Sequence, residues 1–473
     1  MAGAADDEAE VEVEILTSGD PIGSLDLDEA ALDEIAAGAT GVRHAFASLR
    51  HRDFALFWSA GLISNSGSWM QNITVPFVLY QLTHSTTWLG LSAFASFFPA
   101  LLMGPVAGTL ADRYSRRAIL IITQTILMVI AFSLWWFWVS GNATPDIILL
   151  HLLASGITSG INISSWQSFV PLLVPADDML NAVRLNSMQF TGARAFGPAL
   201  GGLVLARFGP ATAFMFNAVT FLLVIGALAA VRPRVAVPIG RGRRVMQQFR
   251  EGIAYVRGRR ALALAVTTIA TTSLCGSAVV QLAPAIAHVE FHVGKAAYGL
   301  LVAMFGSGAV VGALIQSVYG DRVRRSRMTI VGLLGFSLGA ILLGAAPSYP
   351  FGLTCLLGMG TSYLLVSVSL NTAIQARVAE SYRGRVLSIY LMGLMSGVPI
   401  GALIEGRAAQ VVGLRTAVIG AGVAQIVFAL VAATSRGGFG PLDEDVVVEL
   451  IQATTGIEPP HGEAAADQGA DGH

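Results

Sequence analysis

The residue pattern predicts an all-α membrane protein: twelve transmembrane helices in two pseudo-symmetric six-helix bundles. Three observations predict it: an apolar composition with segregated charge, twelve apolar runs of spanning length, and an internal repeat at an offset near 208 residues. Hydrophobic residues make up 54% of the 473 and charged residues 12%, against about half and about a quarter in soluble domains. A soluble chain of this length has too little interior for so much apolar surface. Cys275 and Cys355 both fall inside apolar runs, which excludes a disulfide framework or a cysteine metal cluster.

Residues 1–42 carry twelve acids and no Lys or Arg. The segment 1–45 therefore reads as an acidic, disordered cytoplasmic tail. It lacks the basic and apolar regions of a signal peptide. A span needs about 20 apolar residues. In the first bundle, 46–231, the runs fall at about 54–82, 86–111, 118–140, 145–171, 182–206 and 210–231. The stretch 232–260 holds nine arginines; between spans six and seven it reads as a cytoplasmic linker on anionic headgroups, with no nucleic-acid partner. The second bundle, 261–435, has runs at about 261–289, 294–320, 328–346, 349–377, 386–410 and 414–434. Prolines inside spans, such as Pro76 and Pro284, are tolerated where neighbouring helices re-satisfy the backbone. A second acidic tail, 436–473, closes the chain, with eight acids and no Lys or Arg from 437 onward. Asp177-Asp178 stands alone between spans four and five and reads as a solvated loop.

Basic residues set the orientation. Twenty-two lie on the side shared by both tails, and four (Arg207, Lys295, Arg407 and Arg415) on the other. Both termini are expected in the cytoplasm, with the chain multi-pass in the membrane.

The halves match at a nearly constant offset. Pro76 pairs with Pro284, Gly90 with Gly299, Gln167 with Gln375, and Asp112-Arg113 with Asp321-Arg322; later, Gly197 and Gly201 pair with Gly397 and Gly401. Like-oriented six-span repeats place a substrate path between the halves at mid-bilayer. Spans one, four, seven and ten carry 32 Ser, Thr, Asn and Gln residues; spans three, six, nine and twelve carry 13. Polar groups in hydrocarbon face protein or water. Hydroxyls bonding back to their own helix explain single Ser and Thr residues, but not an enrichment in one span of every three.

Gly108-Thr109-Leu110-Ala111-Asp112-Arg113-Tyr114-Ser115-Arg116-Arg117 resembles the hallmark loop between spans two and three of the major facilitator superfamily, with Ser115 in place of its second glycine. The matching stretch in the second half supplies Asp321, Arg322 and Arg325. The resemblance implies the major facilitator fold and a gating role for these residues. Gly108 permits close approach of another helix, and Asp112 suits the positive N-terminus of span eleven, expected near Val386. Gly197-Pro198-Ala199-Leu200-Gly201-Gly202 resembles the Gly-Pro-x-x-Gly-Gly kink of the antiporter branch. A plain packing kink is the competing reading. Phe54 through Trp69-Met70-Gln71, Tyr80-Gln81-Leu82-Thr83 and Leu89-Gly90 to Asp112 is similar to the drug–proton antiporter subgroup of enterobactin-exporter-like secretion effectors.

The resemblance implies a secondary active efflux transporter, driven by protons and monomeric, for a drug-like molecule, siderophore or secreted metabolite. A lipid or lysolipid flippase and a non-transporting scaffold are the alternatives. No phosphate-cradling Gly-x-x-x-x-Gly-Lys-Ser/Thr loop occurs in the sequence, and no enzyme activity, cofactor or metal is expected. Candidate proton-coupling residues are Asp146, His151 and Glu405. Expected cavity residues are Asn65, Gln71, Asn72, Asn162, Trp166, Gln167, Gln281, Asn371 and Gln375, since amides bond a substrate without a charge's desolvation cost. Arg194 joins them as an intramembrane arginine, with structural carbonyl bonding weighed evenly against contact with an acidic substrate group.

Overall fold

The computed structural model describes residues 46–233, 245–320, 322–435 and 437–443. The acidic tails other than 437–443, the start of the basic linker, Asp321, and the side chains of Asp112, Arg194 and Pro198 lie outside the described residues.

The described chain is helical throughout, with no strand among its elements. A 3-10 turn at Ala47–Arg50 precedes α1 (Arg52–Thr83). There follow α2 (Thr86–Leu102), α3 (Gly104–Arg113), α4 (Arg116–Val139), α5 (Pro145–Phe169), α6 (Met179–Phe208) and α7 (Pro210–Ala230). The linker holds α8 (Val245–Arg257). The second half has α9 (Arg260–Gln281), a π-helical turn at Ile286–Glu290, α10 (Lys295–Tyr319), α11 (Arg325–Gly344), α12 (Tyr349–Arg377), α13 (Glu380–Val412) and α14 (Leu414–Thr434).

Nine helices among the described residues are long and apolar enough to cross a membrane: α4, α5, α7 and α9 to α14. The other three expected spans are helical but differ. Two of them, α1 and α6, are long and comparatively polar, and they bury Gln71 and Thr74, and Asn186 and Gln189, inside protein. The second span is broken at Met103 into α2 and α3, where Pro105 removes a backbone donor. The expected seventh run likewise ends its α-helix at Gln281, ahead of Pro284, whereas Pro76 sits inside an unbroken α1. Span eleven begins at Glu380, well before the expected start near Val386, which is buried instead.

In the first bundle α1 packs on α6 and α7, α4 on α5 and α7, and α2 on α5. In the second, α12 packs on α10 and α11, α9 on α13, and α11 on α14. The bundles meet chiefly through two helix pairs, α2 with α13 and α6 with α10.

The face carrying Ala47–Arg50, Arg113 and Arg260 is the tail face; the end of α1 at Thr83 lies at the far face. Three anchors organise the tail face. Ser115, at the position of the hallmark loop's second glycine, caps α4 by accepting a hydrogen bond from the Ala118 N–H (3.2 Å). Arg116 donates to the Ser168 carbonyl (3.0 Å) and Arg117 to the Ala229 carbonyl (2.7 Å), at the C-terminal ends of α5 and α7, where cations complement the helix dipole. At α11 the capping role passes to Asp443, which accepts from the Ser326 N–H (2.9 Å) and the Ser326 hydroxyl.

Asp178 corrects the reading of a solvated Asp177-Asp178 loop. It is buried, lying 2.7 Å from Arg50 and 2.6 Å from His51. These partners, His51 first and then Arg50, hold its carboxyl below the usual aspartate range. The chain ahead of α1 is thereby latched to the start of α6. In the second bundle α8 is braced on α13 in a similar way. Arg385 pairs with Glu251 (3.0 Å), and Tyr382 stacks on Tyr255 with centroids 4.2 Å apart.

Candidate transport pathway and gates

The largest core cluster is shared between the bundles at the far face. It joins Ile73, Tyr80, Leu89 and Leu205 to Val279, Ile286, Tyr298 and Leu301. Contact there is close enough to need glycine. A Cβ on Gly202 would lie 2.4 Å from the Gly299 Cα, and one on Gly299 would lie 2.3 Å from the Gly202 Cα. Similarly, a Cβ on Gly90 would lie 2.5 Å from the Ala402 carbonyl oxygen, and one on Gly406 would lie 2.6 Å from that of Thr86. Hydrogen bonds seal the seam. The Thr86 hydroxyl donates to the Gly406 carbonyl (2.8 Å), and Gln410 Oε1 accepts from the Ser85 hydroxyl (3.1 Å) and the Thr86 N–H (3.2 Å). Tyr298 donates to the Ile73 carbonyl (2.9 Å) and stacks on Phe77.

The tail-face halves of the same helices are loose. A Cβ on Gly104 or Gly108 of α3, Gly192 of α6 or Gly384 of α13 would meet nothing within 4 Å. The short α3 packs on α5 rather than α13. The molecule is thus shut at the far face and open at the tail face, and a Cβ on the hallmark glycine Gly108 would meet no neighbour in this state.

Beneath the far-face seam lies a small, partly open cavity of about 40 Å³, between α1, α2, α5, α9 and α10. Trp69, Asn72, Ser92, Ser96, Phe97, Gln281 and Tyr298 supply its polar and aromatic lining. No titratable group other than Tyr298 lines it. In this state it has room for a few waters only, and its hydroxyls, amides and aromatic faces are the groups a larger molecule would meet once the helices part.

Of the expected cavity residues, Asn72 and Gln281 line this space. Gln71 accepts from Asn217 of α7 (2.8 Å), Asn162 accepts from Thr123 of α4 (2.9 Å), and Trp166 donates to Asn186 of α6 (3.0 Å). These three bond helices within the first bundle. Asn65 is half-buried and Gln167 exposed on their helices; Gln375 donates to Asn371 one turn away. The kink glycines act as packing surfaces on a continuous α6: a Cβ on Gly197 would lie 2.5 Å from the Trp69 Cβ, and one on Gly201 would lie 2.8 Å from the Met70 Cα. Arg113 and Arg322 are exposed and Arg325 half-buried.

The proton candidates separate. Asp146 is exposed in the first turn of α5. His151 sits against α4, 2.8 Å from the Ser133 hydroxyl and 2.7 Å from the Ile147 carbonyl. Glu405 is buried in α13, beside Cys275 of α9 and one residue from the seam glycine Gly406.

Sequence reasoning missed Trp69, Ser92, Ser96, Phe97 and Tyr298 of the cavity and Gln410 of the seam. Gly299 had a signal, its match to Gly90 in the repeat; Gln410 had none. Gln189 was also missed as a site. Its amide is buried against Trp166 and Gly61, with neither polar atom hydrogen-bonded among the described residues, the kind of group that a second arrangement of the helices or a water satisfies.

Two helical bundles meeting around a cavity, sealed at one face and loose at the other, define a secondary active transporter of the major facilitator fold. Solved structures share it. A bacterial homologue of the human lysosomal transporter Spinster superposes with a TM-score of 0.65 at 15% identity, covering 80% of this chain and 95% of that one. The xylose transporter of E. coli gives 0.60 at 13%, covering 83% and 99%. Residues 43–444 match the transmembrane secretion effector family, and the chain belongs to it. Curated relatives are transporters, not enzymes. The enterobactin exporter of Salmonella typhi is 27% identical over 373 residues, 75% of this chain and 85% of the relative. That of Escherichia coli O1:K1 / APEC is 25% identical over 416 residues, 85% and 92%.

Proposed function

We propose that this chain exports a siderophore-like or other secreted small molecule from the cytoplasm by alternating access, using the proton gradient and acting as a monomer. The observation that carries the reading is the uncharged, aromatic and amide-lined cavity under a sealed far face. The excess of arginine on the tail face makes that face cytoplasmic, so the open side is the side from which an exporter loads. The kinship with enterobactin exporters supports a siderophore-like substrate.

Glu405 is the proposed proton carrier. It is a carboxyl buried inside the protein on α13, and it adjoins the far-face seam through Gly406. Protonation from the far side would therefore act where the bundles must part. Arg194, on α6, is the proposed contact for an acidic group of the substrate.

Purified protein in liposomes, loaded with a catecholate siderophore or a dye and given a pH gradient, tests this. Gradient-driven movement is expected. Glu405→Gln should remove the response to the gradient while exchange without a gradient continues. Arg194→Ala should slow acidic substrates at least tenfold and neutral dyes little. Transport indifferent to the gradient in the unmodified protein would end the proton reading, and movement of lipid alone would turn the assignment to a flippase.

A further inference from the structure

We infer that His84 and His288 form a binding site for a borderline divalent cation of the zinc type, which clamps the two bundles together at the far face. His84 caps the end of α1 in the first bundle; His288 lies in the π-helical turn after α9 in the second. Their ring centroids are 5.8 Å apart and the planes are inclined by 39°. An imidazole nitrogen holds zinc at about 2.0–2.1 Å, so two ligating rings have centroids about 5.2–6.4 Å apart for angles from tetrahedral to linear. The observed spacing falls inside that window. Both side chains are exposed, so a ring can turn a nitrogen toward the shared space and water can complete the coordination. Buried Tyr80 forms the floor, edge-on to both rings at 5.8 and 5.9 Å.

Two uncommon backbone features bring the pair together. His84 has φ 47°, one of two non-glycine residues with positive φ among the described residues, and such placements are costly unless the surroundings fix them. His288 owes its direction to a π-turn, a form found frequently at functional sites. Glu290, two residues on, is occupied by Arg415. The ligands come from opposite bundles, so the site exists only while the far face is shut. A cation bound there favours the tail-open state by its differential affinity.

Untagged protein titrated with ZnCl2 and followed by thermal unfolding tests the site without any assumption about transport. The midpoint should rise by roughly 3 °C once zinc exceeds its Kd about a hundredfold. CaCl2, a hard cation seeking oxygen ligands, should leave it unmoved. His84→Gln and His288→Gln should each abolish the rise, and His292→Asn, at the neighbouring turn, should keep it. A rise that survives in either glutamine variant, or none in the unmodified protein, overturns the site. The clamp itself rests on the exporter reading and has its own readout: zinc should slow transport at least fivefold in the unmodified protein and not in His84→Gln. Intact zinc binding with unslowed transport would remove the clamp and leave the site.

Discussion

Asp178 illustrates what single residues gain from the tertiary fold. Its neighbours in sequence give a polar loop; its partners Arg50 and His51 are more than 120 positions away. The latch depends on an ionised carboxylate whose folded pKa lies below the ordinary value. Its contribution is therefore complete above the unfolded aspartate pKa and is lost only as the pH falls through the lowered folded one. From the aspartate side, the latch should hold across the neutral range and fail only in strong acid. Asp178→Ala should release the segment before α1. Trypsin cleavage after Arg50 and Arg52, in protein held at neutral pH, should then quicken severalfold while the helical signal of the bundles stays constant. Unchanged cleavage would mean that Ser48, whose hydroxyl donates to the Asp178 carbonyl and whose N–H donates to Asn181 Oδ1, suffices alone.

At the scale of elements, the sequence was most legible where apolar runs and the repeat spoke together. The expected limits of span ten agree with those of α12, and those of span twelve with those of α14. Gly90 and Gly299, matched only as repeat partners, prove to be equivalent inter-bundle contacts: Gly90 meets Ala402, and Gly299 meets Gly202, two positions that are themselves matched by the later offset of 200. Less legible were helix ends. The start of α13 fell among charged residues and was set too late, and the break at Met103 was passed over because the run stays apolar across it. Ser115, a departure from the superfamily pattern, is intelligible once seen as a helix cap. The two bundles solve that capping problem differently, one with a local serine and the other with Asp443 from beyond the last span. Removing either cap, as Ser115→Ala or Asp443→Ala, should cost about 1 kcal/mol. Hydrogen exchange should rise in the first turn of α4 for the former and of α11 for the latter, with the other helix unchanged in each case.

For the whole molecule, what counts is which glycines are crowded and which are free, because an alternating-access machine must exchange the two sets. Gly299 is crowded now: a single added methyl would meet backbone that cannot move aside. Gly108 is free now, yet its place in a hallmark motif implies a close contact in the opposite state, when the tail-face halves of the helices come together. Helix polarity and two of the lining amides, Asn72 and Gln281, were readable from the sequence; the cavity's size and which face is shut were not, since both states use the same residues. The two glycines should therefore respond with opposite sign. A cysteine replacing Asn72 in the cavity, with Cys275 and Cys355 changed to serine, reports access through an impermeant maleimide applied to either face. Gly299→Ala should open the seam and raise labelling from the far face severalfold. Gly108→Leu should leave tail-face labelling and thermal stability as they are, because a Cβ there meets nothing within 4 Å in this state, while transport falls at least tenfold because the tail face can no longer close. If Gly108→Leu transports normally, the hallmark loop is only a topological signal in this chain, and the switch between faces is governed elsewhere.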